Sequence, residues 1–99
     1  MKRGGTPTHF FNLPVPAEDV DEIEITYVQN KETILQKYKE DCVIEGRKVS
    51  VTLTQTETFD FKDDKNVEIQ ARVKTKAGKV IPSNILCVNC DRCLSEEEL

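Results

Sequence analysis

The sequence of 99 residues has no tryptophan, a single histidine and few aromatic side chains. With aromatics at only 6%, it lacks the ring surfaces that stack on sugars or on single-stranded bases. It also has no uninterrupted apolar run of about 18 residues, and Met1–Pro7 leads into no apolar stretch of the signal type. The sequence therefore predicts a soluble protein that is neither secreted nor inserted in a membrane.

The net charge is small and negative, because the chain has 18 acidic and 14 basic residues and so a formal charge of −4. Such a field repels a phosphate backbone, so nucleic acid is not an expected partner. Lys2 and Arg3 lie near one end and Glu96–Glu98 near the other, which allows weak head-to-tail attraction between copies. An apolar share of 37% suffices for one modest core. We therefore expect a single domain over 1–99, with an ordered core over about 6–90 and an acidic tail over 91–99.

Alternation of apolar and polar residues with a period of two is the clearest structural signal. It extends over 22–27, 49–54 and 67–74, as in strands with one wet face. Weaker strand candidates are 8–13, 32–38 and 79–88. Turn-forming residues separate these segments, and no connection offers the crossover that parallel strands need. The sequence therefore predicts an all-β fold, an antiparallel sandwich of six or seven strands.

Three segments are also compatible with helix. Over 31–41 the apolar residues have helical spacing, so a helix there is the main alternative to a strand over 32–38. Shorter helical turns are expected over 16–20 and 56–59. These alternatives affect the strand count more than the fold class.

The run Cys87–Cys93 has the pattern C-x-x-C-x-x-C, with Cys42 as a distant fourth thiol. Thiolates at this spacing bind zinc or seed an iron–sulfur cluster. If the last strand continues through the run, residues three apart point to opposite faces and lie about 10 Å apart, too far to share a metal. A zinc site formed by Cys87, Cys90, Cys93 and Cys42 is therefore kept as the alternative to free thiols.

In the strand interpretation, Leu86, Val88 and Cys90 face the core while Cys87 faces the other side. A buried cysteine behaves as a small apolar residue, and thiols of a non-secreted chain stay reduced. A bridge involving Cys42 remains open, since the distance is not given by the sequence.

Other polar groups are expected to be structural, so no catalytic residue is predicted. His9 would have to be the base of any Cys–His nucleophile, or a fourth metal ligand, but it is expected half-exposed on a first strand. The acidic pairs 18–19, 21–22 and 63–64 do not match the calcium-loop pattern and suit solvated turns. The threonines within 52–58 have strand spacing and suit the wet side of a strand.

The order of several short segments resembles a known family. They are Arg3–Phe10, Ile25–Tyr27, Lys39–Cys42, Val51–Thr58, Val67–Val73 and Ser83–Ile85. Over 3–88 the chain resembles short uncharacterised proteins encoded in tail gene clusters of phages and prophages of Gram-positive bacteria. It more distantly resembles the N-terminal domain of phage upper baseplate proteins. Its motifs, a turn-rich start and a TLTQ-x-ET strand end, identify a fold better than an activity.

This resemblance implies an immunoglobulin-like antiparallel β-sandwich that serves as a virion structural protein of the tail or baseplate, and not as an enzyme. Expected partners are other phage structural proteins or further copies of the chain, which dock through edge strands or a sheet face. The expected docking edge is the first strand or the last. The location implied is the bacterial host cytoplasm during assembly and then the virion. Ordinary strand residues stand in the family where this chain has Cys87, Cys90 and Cys93, so no cofactor is implied.

Overall fold

The computed structural model describes residues 1–99, of which 53% lie in strands. The strands are β1 (Thr8–Asn12), β2 (Val20–Gln29), β3 (Glu32–Tyr38), β4 (Cys42–Glu45), β5 (Lys48–Thr52), β6 (Lys65–Thr75), β7 (Val80–Pro82) and β8 (Leu86–Cys90). The helical elements are α1 (Gln55–Phe59) and two 3-10 turns, Ala17–Asp19 and Lys39–Asp41. The all-β prediction is confirmed, as are the short helical turns. The predicted count of six or seven strands is too low, because β4 was not predicted and the expected last strand is divided into β7 and β8. None of these helices has the length and apolarity to cross a membrane.

Two antiparallel sheets share one core. The smaller has the order β1-β5-β4, and the larger has the order β3-β2-β6, with β7 and β8 both pairing along the far edge of β6. The core cluster has 14 buried residues and draws on both sheets, with Tyr27, Ile25 and Ile69 from one and Val51 from the other. The arrangement fits a sandwich, and the immunoglobulin-like topology stays an expectation.

The helix considered over 31–41 is wrong, because this segment forms the second strand of a hairpin. Asn30 and Lys31 make the turn with positive φ values of 52° and 64°, which suit the twist of the flanking strands. The pairing with β2 shifts register beside Leu35, leaving Ile34 as the extra residue of a β-bulge. The adjacent side chains of Ile34 and Leu35 are therefore both half-buried. Neighbouring apolar residues of this kind also occur on the apolar face of a helix, which is why the segment was compatible with one.

The last strand is interrupted. Between β7 and β8, Ser83 N donates to Ala71 O at 2.7 Å, and Ser83 Oγ accepts from Ala71 N at 3.0 Å. A side chain thus replaces one backbone group of the ladder, and the two short strands extend the same edge. The expectation that Leu86 faces the core needs correction. Leu86 lies opposite Ile69 but on an edge strand, and it is 43% exposed. Val88 packs against the core as expected.

The threonines of 52–58 do not continue one strand, because β5 ends at Thr52 and a helix follows. Thr54 caps this helix, accepting from Glu57 N at 3.2 Å while Glu57 Oε1 accepts from Thr54 N at 2.8 Å. Thr58 is fully buried. Its hydroxyl accepts from Gly4 N at 3.0 Å and donates toward Gly5 O at 2.9 Å.

The first residues of the chain therefore pack on α1. Arg3 donates from Nη2 to Phe59 O at 3.0 Å and from Nε to Phe61 O at 2.6 Å, and so binds carbonyls at the helix end. The same guanidinium pairs with Glu96. The opposite charges at the two ends, expected to attract separate copies, are thus joined within one chain.

Candidate functional site

The edge of the smaller sheet is formed by β1, which pairs only with β5. Hydrogen bonds at both ends of β1 show which of its residues direct their backbone groups toward β5 and which direct them away. Leu53 N donates to Pro7 O at 3.0 Å, and Leu13 N donates to Arg47 O at 2.7 Å. Because hydrogen-bonded positions alternate along an antiparallel pair, every odd-numbered residue of β1 directs its backbone groups at β5.

The even-numbered residues, Thr8, Phe10 and Asn12, therefore direct their backbone groups away from the sheet. Each offers one N–H and one C=O, so three donors and three acceptors point outward along this edge. No backbone hydrogen bond outside the strand ladders involves these three residues. The five residues of β1 include no Asp, Glu, Lys, Arg or Pro. Such an edge can accept another strand.

Three of the other edge strands carry features that oppose strand addition. The strand β3 bears Glu32 and Lys37 and contains the bulge at Ile34. The strand β4 has four residues and ends at Glu45. The strand β7 has three residues and ends at Pro82, which has no N–H to donate. Charges, bulges, proline and short length are the usual protections of sheet edges.

The edge at the end of β8 is covered by the first residues of the chain. The amino group of Met1 donates to Asn89 O at 3.0 Å, and Asp91 N donates to Met1 O at 2.8 Å. Arg3 N then donates to Asp91 O at 3.0 Å. Both candidates for the docking edge, the first strand and the last, lie at sheet edges, but β8 is covered at Asn89 and Asp91, whereas β1 is uncovered along its whole length.

The outer face of the smaller sheet carries exposed apolar side chains in one row. Phe10, Ser50 and Val43 lie side by side across its three strands. Phe10 is 57% exposed and Val43 60% exposed. A shallow depression of about 210 Å³ lies among them and is also lined by Glu45 and Lys48. Lys48 Nζ lies 4.6 Å from the centroid of the Phe10 ring, a cation–π contact that leaves most of the ring open.

An apolar cleft of about 130 Å³ opens between the sheets, where the end of β1 faces β7. Phe11 and Pro14 form one wall, and Ile81 and Pro82 form the other. The remaining lining residues are Asn12, Leu13, Ile23, Ile25, Val49, Ala71, Val73 and Ser83. A cavity of about 150 Å³ holds a benzene ring, so this cleft has room for one apolar side chain. None of its lining residues is an acid, a base or a cysteine.

The four cysteines are free and are not brought together. Cys87 is exposed and Cys90 is buried at 1% exposure, so β8 places them on opposite faces as predicted. Cys93 follows the strand, and Cys42 lies on β4 of the other sheet with its Sγ 3.3 Å from Tyr38 O. The structure contains no group of three or more His, Cys, Asp or Glu side chains arranged to hold a metal. The zinc alternative therefore draws no support from the geometry.

Burial raises the pKa of two of the thiols and so favours the protonated form, which binds metals poorly. Burial raises the pKa of Cys42, and the neighbouring Asp41 carboxylate adds to this effect. Burial likewise raises the pKa of Cys90. Metals bind the thiolate, so both shifts favour the inert, packed thiol.

His9 faces inward from β1 and contacts a tyrosine. Its Nδ1 lies 2.8 Å from the hydroxyl of Tyr27, which is fully buried. Burial lowers the pKa of His9 and raises the pKa of Tyr27 well above its usual range. Cys42 also faces this side, but His9 and Cys42 flank Val51 on opposite sides, about 10 Å apart at two strand spacings. The Cys–His nucleophile considered from the sequence is therefore not formed.

The first two acidic pairs are separated only by Val20, and the third precedes β6. Glu18 and Asp19 occupy an exposed 3-10 turn, and Asp64 adopts a positive φ of 58° in the turn before β6. The pair 21–22 is at the irregular start of β2, not in a turn, and Glu22 lies 4.0 Å from Lys74 Nζ. Five of these six carboxylates are exposed and Asp63 is half-buried.

No family model, curated protein or solved structure matches this chain. The resemblance to phage tail proteins therefore stays an expectation. Sequence reasoning did not single out the exposed row of Phe10 and Val43. A signal was present, since two adjacent phenylalanines in a strand must point to opposite faces, and one of them had to face solvent.

Proposed function

We propose that this chain is a non-catalytic interaction module of a phage or prophage particle, associated with the tail or baseplate, and that it docks through β1. The observation that carries this proposal is the unprotected edge formed by Thr8, Phe10 and Asn12. The phage assignment rests on the resemblance over 3–88.

Strand addition explains how such an edge binds. Main-chain hydrogen bonds supply attraction that does not depend on sequence, and neighbouring side chains supply selectivity. Here the neighbouring groups are the exposed ring of Phe10 on one face and the apolar cleft beside Phe11 on the other. An added strand would therefore meet apolar surface on both faces.

Particles purified from a host that carries the coding cluster test this proposal. We expect the chain in fixed stoichiometry with tail or baseplate proteins by native mass spectrometry. Phe10→Lys should remove it from the particle, because a charge on the edge opposes strand pairing. Val43→Lys is the matched control, since it places the same charge at similar exposure on the opposite edge of the sheet, and it should be retained.

Two results would overturn the proposal. One is absence of the wild-type chain from particles whose other tail components are complete. The other is equal incorporation of Phe10→Lys and wild type. Elemental analysis of the purified chain separately tests the zinc alternative, and one equivalent of zinc per chain would favour it.

A further inference from the structure

We infer that the strand added to β1 is the β1 strand of a second copy, running antiparallel about a two-fold axis at Phe10. This deepens the proposed docking role of β1 and depends on it. The free backbone groups belong to Thr8, Phe10 and Asn12, which are spaced symmetrically about the central residue. Thr8 of one copy then pairs with Asn12 of the other, and Phe10 pairs with itself. Three N–H groups from each of two copies give six hydrogen bonds, and no donor or acceptor of the edge is left over.

Side chains on both faces fit this pairing. On the outer face the two Phe10 rings become cross-strand neighbours, so the row of Phe10 and Val43 doubles in length across the dimer. On the inner face Phe11 of one copy lies beside His9 of the other. Phe11 is half-buried in the single chain, and it gains cover there. The isologous contact is closed, as expected of a two-fold dimer.

Charge favours a second copy over an ionised partner. The strand β1 carries no ionised side chain, although the chain as a whole has a formal charge of −4. The nearest charges on the outer face, Lys48 and Glu45, are opposite each other in register and offset each other. In the dimer the two Lys48 residues are separated by three strand spacings and four residues, about 20 Å. This exceeds the Debye length of about 8 Å, so the copies meet at a neutral surface.

The size of the contact sets the expected affinity. A five-residue strand pair with one aromatic contact is smaller than the interfaces of about 1,200–2,000 Å² that stable complexes bury. We therefore expect a weak dimer with a dissociation constant on the order of 10⁻⁴ M. Multiple copies held in one particle would raise the effective concentration above this value.

Disulfide trapping tests the register directly. In a hydrogen-bonded antiparallel pair the Cα atoms lie about 5.5 Å apart, within the range for a disulfide, so Phe10→Cys should cross-link to itself on mild oxidation. Thr8→Cys alone should not, because the two copies of residue 8 lie about 14 Å apart. Asn12→Cys alone should not either, whereas a mixture of these two variants should form the heterologous cross-link. The background replaces the more accessible thiols with serine, namely Cys42, Cys87 and Cys93.

Amide exchange measures the same contact in the wild-type chain without cross-linking. For a dissociation constant of about 10⁻⁴ M, raising the concentration from 0.02 to 2 mM should slow exchange at Thr8, Phe10 and Asn12 about five-fold. Phe10→Lys should abolish the effect, and Val43→Lys should keep it. Equal cross-linking of all three single cysteine variants, or no concentration dependence up to 2 mM, would overturn the dimer.

The two proposals fail in different ways. If the chain is retained in particles through β1 but stays monomeric and does not cross-link at residue 10, the docking role stands and the self-pairing is refuted. If the chain dimerises in the predicted register but is absent from particles, the self-pairing stands and the phage role is refuted.

Discussion

Gln29 is the buried polar residue whose removal has the most predictable cost. It ends β2, is 2% exposed and clamps the loop that leads into β6. Its Nε2 donates to Lys62 O at 2.6 Å, and its Oε1 accepts from Lys62 N at 2.7 Å. A weaker contact joins Nε2 to Lys65 O at 3.4 Å. One side-chain amide thus satisfies both backbone groups of Lys62.

Gln29→Leu keeps a similar side-chain volume but leaves the backbone N–H and C=O of Lys62 without their hydrogen-bond partners. A buried donor or acceptor left unpaired costs about 1–3 kcal/mol. The loop is only partly buried, so water recovers some of this, and we expect a loss of about 2–4 kcal/mol for the two groups together. For a domain of this size that lowers Tm by about 10–20 °C.

Urea unfolding followed by circular dichroism measures this loss as a lower midpoint with an unchanged m value. Gln36→Leu is the matched control. Gln36 is exposed on β3, and its side chain makes two long contacts, donating to Thr26 Oγ1 at 3.4 Å and accepting from Tyr38 Oη at 3.3 Å. Both contacts are exposed, so its replacement should change stability by less than about 0.5 kcal/mol. If Gln29→Leu destabilises no more than Gln36→Leu, the amide clamp contributes no net stability and the reasoning fails.

Three further predictions use matched variants. Burial lowers the pKa of His9, so as pH falls below about 6.5 the unfolded chain binds a proton there before the folded chain does. Between pH 7.5 and 5.5 the free energy of unfolding of the wild type should fall by up to about 1.4 kcal/mol more than that of His9→Gln, and identical pH profiles would refute this. Gly4→Ala places a Cβ 2.8 Å from an aromatic ring of α1 at φ +80°, whereas Gly78→Ala meets no atom within 4 Å at φ +89°. Both should lose about 1 kcal/mol to backbone strain, and denaturant titration should show a further loss of about 1–2 kcal/mol for Gly4→Ala alone. Cys90→Ser buries a hydroxyl in the core and should cost about 1–3 kcal/mol, while Cys87→Ser on the exposed face should be neutral within about 0.5 kcal/mol in the same titration.

Strands in which apolar and polar residues alternate regularly were predictable, because their apolar positions are the buried ones. The positions Val67, Ile69, Ala71 and Val73 are all buried in β6, as their spacing indicates. The same rule correctly placed Cys87 and Cys90 on opposite faces. Where the register shifts, the rule fails, as at the bulge in β3 that resembled a helix.

The strand β4 was not predicted, and although the first strand was a candidate edge, the sequence did not show that this edge is left unprotected. Cys42–Glu45 spans four residues, too few for alternation to stand out from the turn at Gly46. Which strand ends a sheet depends on pairing between distant segments, and alternation within one segment carries no information about its neighbours. The exposure of Phe10 could be deduced, but the free hydrogen bonds beside it could not.

Contacts within the chain account for two of the segments on which the resemblance rests. The opening motif and the TLTQ-x-ET motif contact each other through Gly4, Gly5 and the Thr58 hydroxyl, so folding alone explains their presence. Phe10 closes the opening segment but is more than half exposed, and the single chain gives its ring little beyond the cation–π contact with Lys48. A large apolar side chain with so little packing, on an edge that also lacks charge and cover, is better explained by assembly than by folding.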